Sequence, residues 1–198
     1  MTKKDEFIEK YFKQTSLISS KINTKSIENL VIDIFKVRKN NGRIFFLGVG
    51  GSAGNCSHAV NDFRKLCNIE CYAPTDNVSE LTARINDEGW ENSFVDWLKV
   101  NKLKKNDAIF VFSVGGGNKK FNVSVNLIKA IDYAKKTNTK VFGIVGKNDG
   151  YLYKKANQVV LVPNVNDRMI TPFSEAFQAV IWHCLVSHPL LQVRKTKW

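Results

Sequence analysis

Long apolar runs are missing from this chain of 198 residues. A bilayer-spanning helix needs roughly 20 consecutive apolar residues, and no stretch approaches that length. The opening segment, MTKKDEFIEKYFKQ, is charged throughout, so no signal-peptide apolar region is expected there. Cysteine is sparse. Cys56, Cys67, Cys71 and Cys184 form no CxxC pair, which points to free thiols in a reducing cytoplasm. Acidic residues are outnumbered: 18 Asp+Glu against 30 Lys+Arg leave a net charge of +12. That balance permits nucleic acid, an anionic membrane or a small anionic substrate as partner. The basic residues are doublets such as Lys104-Lys105, Lys119-Lys120, Lys135-Lys136 and Lys154-Lys155. Scattered doublets read as solvated faces, and no nucleic-acid-binding motif accompanies them. Linkers, low-complexity tracts and internal repeats are also absent. Histidine occurs three times only.

What is present describes a globular protein. Apolar residues make up 43% and charged residues 24%, both ordinary values. The length suits one domain with a real core. Over 4–22, Phe7, Ile8, Tyr11, Phe12, Leu17 and Ile18 recur at spacings of three and four, which predicts an amphipathic helix. A second helix is expected after Thr24 as N-cap, ending at Asn41-Gly42. Short apolar runs follow at 43–48, 69–73, 108–113, 141–145 and 159–162. Helical stretches separate them at about 53–66, 89–101, 121–136 and 149–156, and a broadly apolar helix covers 172–188. Strands apolar on both faces that alternate with helices predict an α/β sandwich around a parallel sheet.

Two strand ends are rich in glycine. The first reads Gly48-Val49-Gly50-Gly51-Ser52-Ala53-Gly54-Asn55, the second Ser113-Val114-Gly115-Gly116-Gly117-Asn118-Lys119. Glycine lets backbone N–H groups approach an anion, and a following helix adds positive potential. The first run lacks the GxGxxG spacing of a dinucleotide site and the GKS/GKT ending of a P-loop. A small phosphorylated ligand fits better.

Two of the three histidines sit beside carboxylates at helical spacing. His58 precedes Asp62 by four residues, and Glu175 precedes His183 by eight. Each pair can share a helix face. Such groups can ligate one metal ion or act as an acid–base pair. His188, before Pro189, reads as structural.

Taken in order, these features resemble the SIS (sugar isomerase) domain, and within it the sedoheptulose 7-phosphate isomerases, or phosphoheptose isomerases. The resemblance rests on the two leading helices, GVGGSAGNCSHAVNDF, Asn86-Asp87, SVGGGN and TPFSEAFQAVIWH, and covers nearly the whole chain. It implies a three-layer sandwich, a single SIS domain over 1–198 with 1–41 as a helical extension packing on the domain or on a neighbouring subunit, and a homotetramer with active sites at subunit boundaries. It departs from the family at four places. The first turn reads GVGGS rather than GNGGS, Asp62 stands where Glu is usual, and Glu175 stands where Gln is usual. The second turn has fewer hydroxyls than the family's STSGNS.

The resemblance implies residue roles as well. Asp62 would be the base and His183 its acid–base partner, supplied by a neighbouring subunit. Gly50, Gly51, Ser52, Asn86, Asp87, Ser113, Gly115, Gly116, Gly117, Asn118 and Glu175 would bind substrate. His58, Asp62, Glu175 and His183 would hold one zinc ion, as the corresponding set does in some relatives. The implied reaction interconverts sedoheptulose 7-phosphate and D-glycero-D-manno-heptose 7-phosphate in bacterial surface heptose biosynthesis. Two other readings compete with the enzyme. One is a tetrameric scaffold for the replication initiator DnaA. The other is a regulator that senses a sugar phosphate.

Overall fold

The computed structural model describes residues 3–196. Side-chain alternation along the strands decides how its layers form. Successive strand residues face opposite sides of a sheet, and here both sides are apolar. The strands β1 (Ile44–Leu47), β2 (Cys71–Tyr72), β3 (Ala108–Ser113), β4 (Lys140–Val145) and β5 (Gln158–Leu161) pair in parallel in the order β2-β1-β3-β4-β5. Ile44, Phe46, Phe110, Phe112, Phe142 and Ile144 point into one core. Phe45, Leu47, Ile109, Val111, Val141 and Val145 point into the other. Helices must therefore cover both faces, and the result is the expected three-layer α/β sandwich.

The first core is closed by α2 (Thr24–Lys39), α3 (Gly51–Cys67) and α8 (Ile170–Ser187), with Ile18 of α1 (Lys3–Lys21) joining it. The second is closed by α5 (Ser93–Val100), α6 (Val125–Lys136) and α7 (Tyr151–Lys155). Leu30, Val31, Ile34 and Val37 of α2 are buried, so this helix is part of the core. Its N-cap is Asn23, whose side chain accepts from the Ser26 amide at 3.1 Å; Thr24 is the first helical residue rather than the cap.

One helix departs from the sequence expectation. α4 (Val78–Glu88) was not anticipated, and it has no buried residue. Its only sizeable apolar side chains past the first turn are Leu81 and Ile85, so it carries a weak periodic signal. Local chemistry holds it: Asn77 caps the Glu80 amide, and Arg84 pairs with Glu80 and Glu88. The run expected at 69–73 shrinks to a two-residue edge strand.

α8 is apolar on several sides because it is a core helix. Phe173, Phe177, Ile181, Trp182, Leu185 and Val186 are buried. Pro172 falls in its first turn, where the missing N–H breaks no helical bond. α3 and α8 run side by side, since Asn55 bonds Glu175 and Gln178 near one end and Cys67 meets the Val186 carbonyl near the other. That packing positions the candidate site.

No helix among the described residues is long and apolar enough to cross a membrane. Cys56, Cys67 and Cys71 are buried and Cys184 exposed, and all are free thiols. Burial pushes the Cys67 thiol up to about 12 and raises Cys56 and Cys71 well above the usual range. Those three are packing residues, not nucleophiles.

Candidate active site

In an open parallel sheet, ligands bind beyond the carboxyl ends of strands, at the point where the strand order reverses. Here that point lies between β1 and β3, and both glycine turns leave from it. They are built differently.

At the first turn the chain passes from β1 through Gly50 into α3. Gly50 has φ +64° and ψ −130°, a conformation open only to glycine in practice. A Cβ on Gly51 would stand 2.6 Å from Glu175 Oε2, so the Glu175 carboxylate lies against the N-terminus of α3. Ser52 is buried, and its hydroxyl oxygen accepts from Gln178 Nε2 at 3.0 Å. Asn55 Nδ2 donates to Gln178 Oε1 at 3.0 Å and to the Glu175 carbonyl at 2.9 Å. This network knits α3 to α8. Asn55 and Gln178 are functional in that sense and were not singled out from the sequence. Their only signal there was a polar residue on an apolar helix, which needs a partner when buried.

The second turn is open. Gly116 and Gly117 have φ +70° and +83°, while a Cβ on Gly115 would meet nothing within 4 Å. The Ser113 hydroxyl accepts from the Gly116 amide at 3.0 Å. The Gly116 and Gly117 carbonyls accept from Leu152 and Tyr151, the first residues of α7. Asn118 Oδ1 accepts from Phe121 and shapes a small loop closed on Val123. A cavity of about 190 Å³ opens there, lined in part by Gly115, Gly117, Asn118, Ser124, Lys147 and Asp149. Beside it Lys119 pairs with Asp132 at 3.3 Å and lies over the Tyr151 ring. Its hydrogen bonds to Tyr151 and Asp132 raise the Lys119 ammonium above its ordinary range.

Three of the four His/carboxylate residues converge. His58 and Asp62 of α3 meet His183 of α8, with each Nε2 3.9 Å from Asp62 Oδ2. Ligand atoms of all three lie within 4.8 Å of one another. His183 Nδ1 sits 2.8 Å from the Ala179 carbonyl. A carbonyl only accepts, so Nδ1 carries a hydrogen and Nε2 is the ring nitrogen that faces Asp62. One chain supplies both Asp62 and His183; the pair does not require a neighbouring subunit, contrary to the expectation from the family pattern. Trp182 packs against both imidazoles: its ring centroid is 3.5 Å from His183 and 4.7 Å from His58.

Glu175 is not among the three clustered residues. Eight residues along a helix is a rise of about 12 Å, and its carboxylate is turned to Gly51. Asn86 and Asp87 lie exposed on α4 and bond each other at 2.7 Å. Among the described residues no hydrogen bond ties them to either turn. His188 lies apart, 3.7 Å from Glu28.

Residues 10–146 match the sequence profile of the SIS domain. The chain belongs to the SIS domain family. Its relatives include phosphoheptose isomerase 2 of Campylobacter jejuni, 26% identical over 164 residues that cover 80% of this chain and 76% of that protein. Lincomycin biosynthesis protein LmbN of Streptomyces lincolnensis is 29% identical over 154 residues, covering 74% of this chain. That match spans only 56% of the LmbN length. Among solved structures, a phosphoheptose isomerase from Neisseria gonorrhoeae superimposes with a TM-score of 0.80 at 20% identity, covering 92% of this chain and 96% of that one. Its counterpart from Francisella tularensis gives 0.79 at 22% identity, covering 94% and 97%. At such identities the likeness establishes the fold of this SIS domain.

Proposed function

We propose that this SIS domain is an aldose–ketose isomerase that converts sedoheptulose 7-phosphate to D-glycero-D-manno-heptose 7-phosphate in the cytoplasm, for bacterial surface heptose biosynthesis. The observation that carries the reading is the meeting of His58, Asp62 and His183, two of the chain's three histidines with a carboxylate, on two adjacent helices. Family membership and the phosphoheptose isomerases among its relatives support the substrate class.

The reaction needs no net electrons. One proton leaves C1 of the ketose and returns at C2, and another passes from the C1 hydroxyl to the C2 oxygen. The enediolate between them needs its oxygen charge stabilised. Asp62 is the base at C1. His183 has its Nδ1–H committed to Ala179, so any proton it moves to or from oxygen passes through Nε2. The phosphate is held at the second turn, by backbone amides of Gly115 and Gly117 with Asn118 and Lys147, while Gly116 shapes the turn through its left-handed backbone. Ser113 acts indirectly, by bonding the Gly116 amide and setting the shape of the turn. The first turn, with Gly50, Gly51 and Ser52, anchors α3, and Glu175 there accepts from sugar hydroxyls. Asn86 and Asp87 contact the sugar only if another element or subunit brings it to α4.

The donor set also suits zinc. Two imidazoles and one carboxylate make a catalytic-type zinc site that keeps a position open, with donors about 3.4 Å apart around the ion; here each imidazole stands 3.9 Å from Asp62 and all three donors lie within 4.8 Å, so they would draw together around it. His58 Nε2, Asp62 Oδ2 and His183 Nε2 would hold the ion. Zinc would supply Lewis-acid polarisation of the carbonyl and enediolate oxygens. His183 Nε2 can ligate or shuttle a proton, not both at once. Self-association as a homotetramer belongs to the same proposal, supported by Phe7, Ile8 and Phe12, which α1 leaves 59–64% exposed.

The test is an incubation with sedoheptulose 7-phosphate, with and without chelator, and identification of the product. Formation of the manno-heptose phosphate is expected. Binding of the sugar phosphate without turnover would replace the enzyme by a sensor.

A further inference from the structure

We propose that Trp182 is a positioning residue that holds the His58 and His183 imidazoles in ligating orientation. The inference rests on the metal-binding reading of the His58–Asp62–His183 cluster and adds a residue that this reading does not contain.

The histidines are held unequally. His183 is fixed by its Nδ1 bond to Ala179. Among the described residues no hydrogen bond orients His58. Its ring faces solvent on one side, with the side chain 59% exposed. What it meets on the protein side is aromatic: the Trp182 ring at 4.7 Å and 64°, and the His183 ring at 5.5 Å and 88°. Trp182 also stacks on His183 at 3.5 Å and 30°. A single indole therefore touches both imidazoles, and it is fully buried. Rings at these spacings attract through edge-to-face and offset-stacked contacts. A buried wall of this kind restricts each imidazole about its side-chain torsions and leaves the Nε2 atoms pointing at Asp62.

Packing alone gives a poor reason for an indole at this position. Its Nε1–H is buried without a hydrogen-bond partner among the described residues. Buried indoles usually satisfy that donor, and phenylalanine or methionine would occupy the core without the unpaired group. The aromatic face laid against two histidines is what the smaller apolar residues would reduce or remove.

The experiment titrates zinc alone into the wild-type protein, Trp182→Phe and Trp182→Met, each checked for folding by circular dichroism. A chromophoric chelator competes for the ion and reports Kd. Losing an outer partner of a metal ligand typically costs 10–100-fold in affinity, so Trp182→Met should bind about 10-fold more weakly, while Trp182→Phe, which keeps a ring, should stay within about 3-fold. In parallel, Ni²⁺ should quench tryptophan emission of the wild type and lose most of that quench in Trp182→Phe. Unchanged zinc affinity in a folded Trp182→Met overturns the positioning role and leaves the metal site standing. If Trp182→Met does not fold, the quench decides: equal quenching of wild type and Trp182→Phe overturns the proposal. A wild type that binds no zinc removes the metal reading itself, and this inference with it.

Discussion

The two glycine turns look alike as sequence and behave as opposites in the structure. Both follow a central strand at the reversal of the strand order, and both lead toward a helix. The first is occupied from within. Glu175 lies on Gly51, Gln178 holds Ser52, and Asn55 closes the network. A carboxylate at a helix N-terminus already satisfies the positive potential there, so a second anion has little to gain. At the second turn no carboxylate lies on the glycines themselves, although Asp149 lines the cavity beside them. Left-handed Gly117 and open Gly115 line that cavity, where Lys147 stands with Asp149. A glycine-rich strand end is therefore only a permission for anion binding. What the neighbouring helix projects into the turn decides whether the permission is used.

The comparison assigns chemistry to the first turn's helix and substrate holding to the second turn, and substitutions can break it. The largest effect is expected from Asp62→Asn on α3. Loss of a positioned base costs about 10²–10⁴-fold, which steady-state turnover should show in kcat with KM little changed. Equal losses in KM would move Asp62 from chemistry to binding. Next comes Gly117→Ala in the second turn. The new methyl meets Ile128 at 2.8 Å on a residue with φ +83°, so urea unfolding should show a loss of about 2–3 kcal/mol.

Gly115→Ala separates binding from folding at the same turn. Its methyl enters open space, so stability should hold within about 0.5 kcal/mol. KM should rise about 10-fold as the cavity narrows. An unchanged KM would detach the phosphate from the second turn. Gly54→Ala is the matched control in the first turn, also unobstructed but inside α3. There a thermal melt should show a gain of about 0.5–1 kcal/mol, and KM should not move. Smallest of all, Glu175→Gln should cost about 0.3–1 kcal/mol near neutral pH, because α3 loses the charge at its N-terminus. A gain in stability would mean that the carboxylate is strained there.

Much of the fold was legible because burial on both faces of a parallel sheet leaves continuous apolar runs. The runs at 108–113 and 141–145 mark β3 and β4 closely. α4 was not legible, since a helix with no buried residue leaves little period to find. Of the candidate site, the His58–Asp62 pair was readable from its four-residue spacing alone. Asn55, Gln178 and Trp182 were not, because each owes its role to a residue more than 100 positions away or to a ring it faces across a helix pair.

The +12 charge has a place in this picture but not a leading one. Lys119 is answered by Asp132, and the phosphate proposal rests chiefly on backbone amides with one lysine. By itself the sequence determined the layered α/β class, the two glycine turns and the separate His/carboxylate pairs, because periodicity and spacing are local properties. Only the tertiary structure decided that α3 and α8 lie side by side. That packing joins His58, Asp62 and His183 in one chain, and it turns Glu175 away to the first turn. The physical reason is that an apolar face can specify that a helix is buried, while its partner depends on the whole sheet.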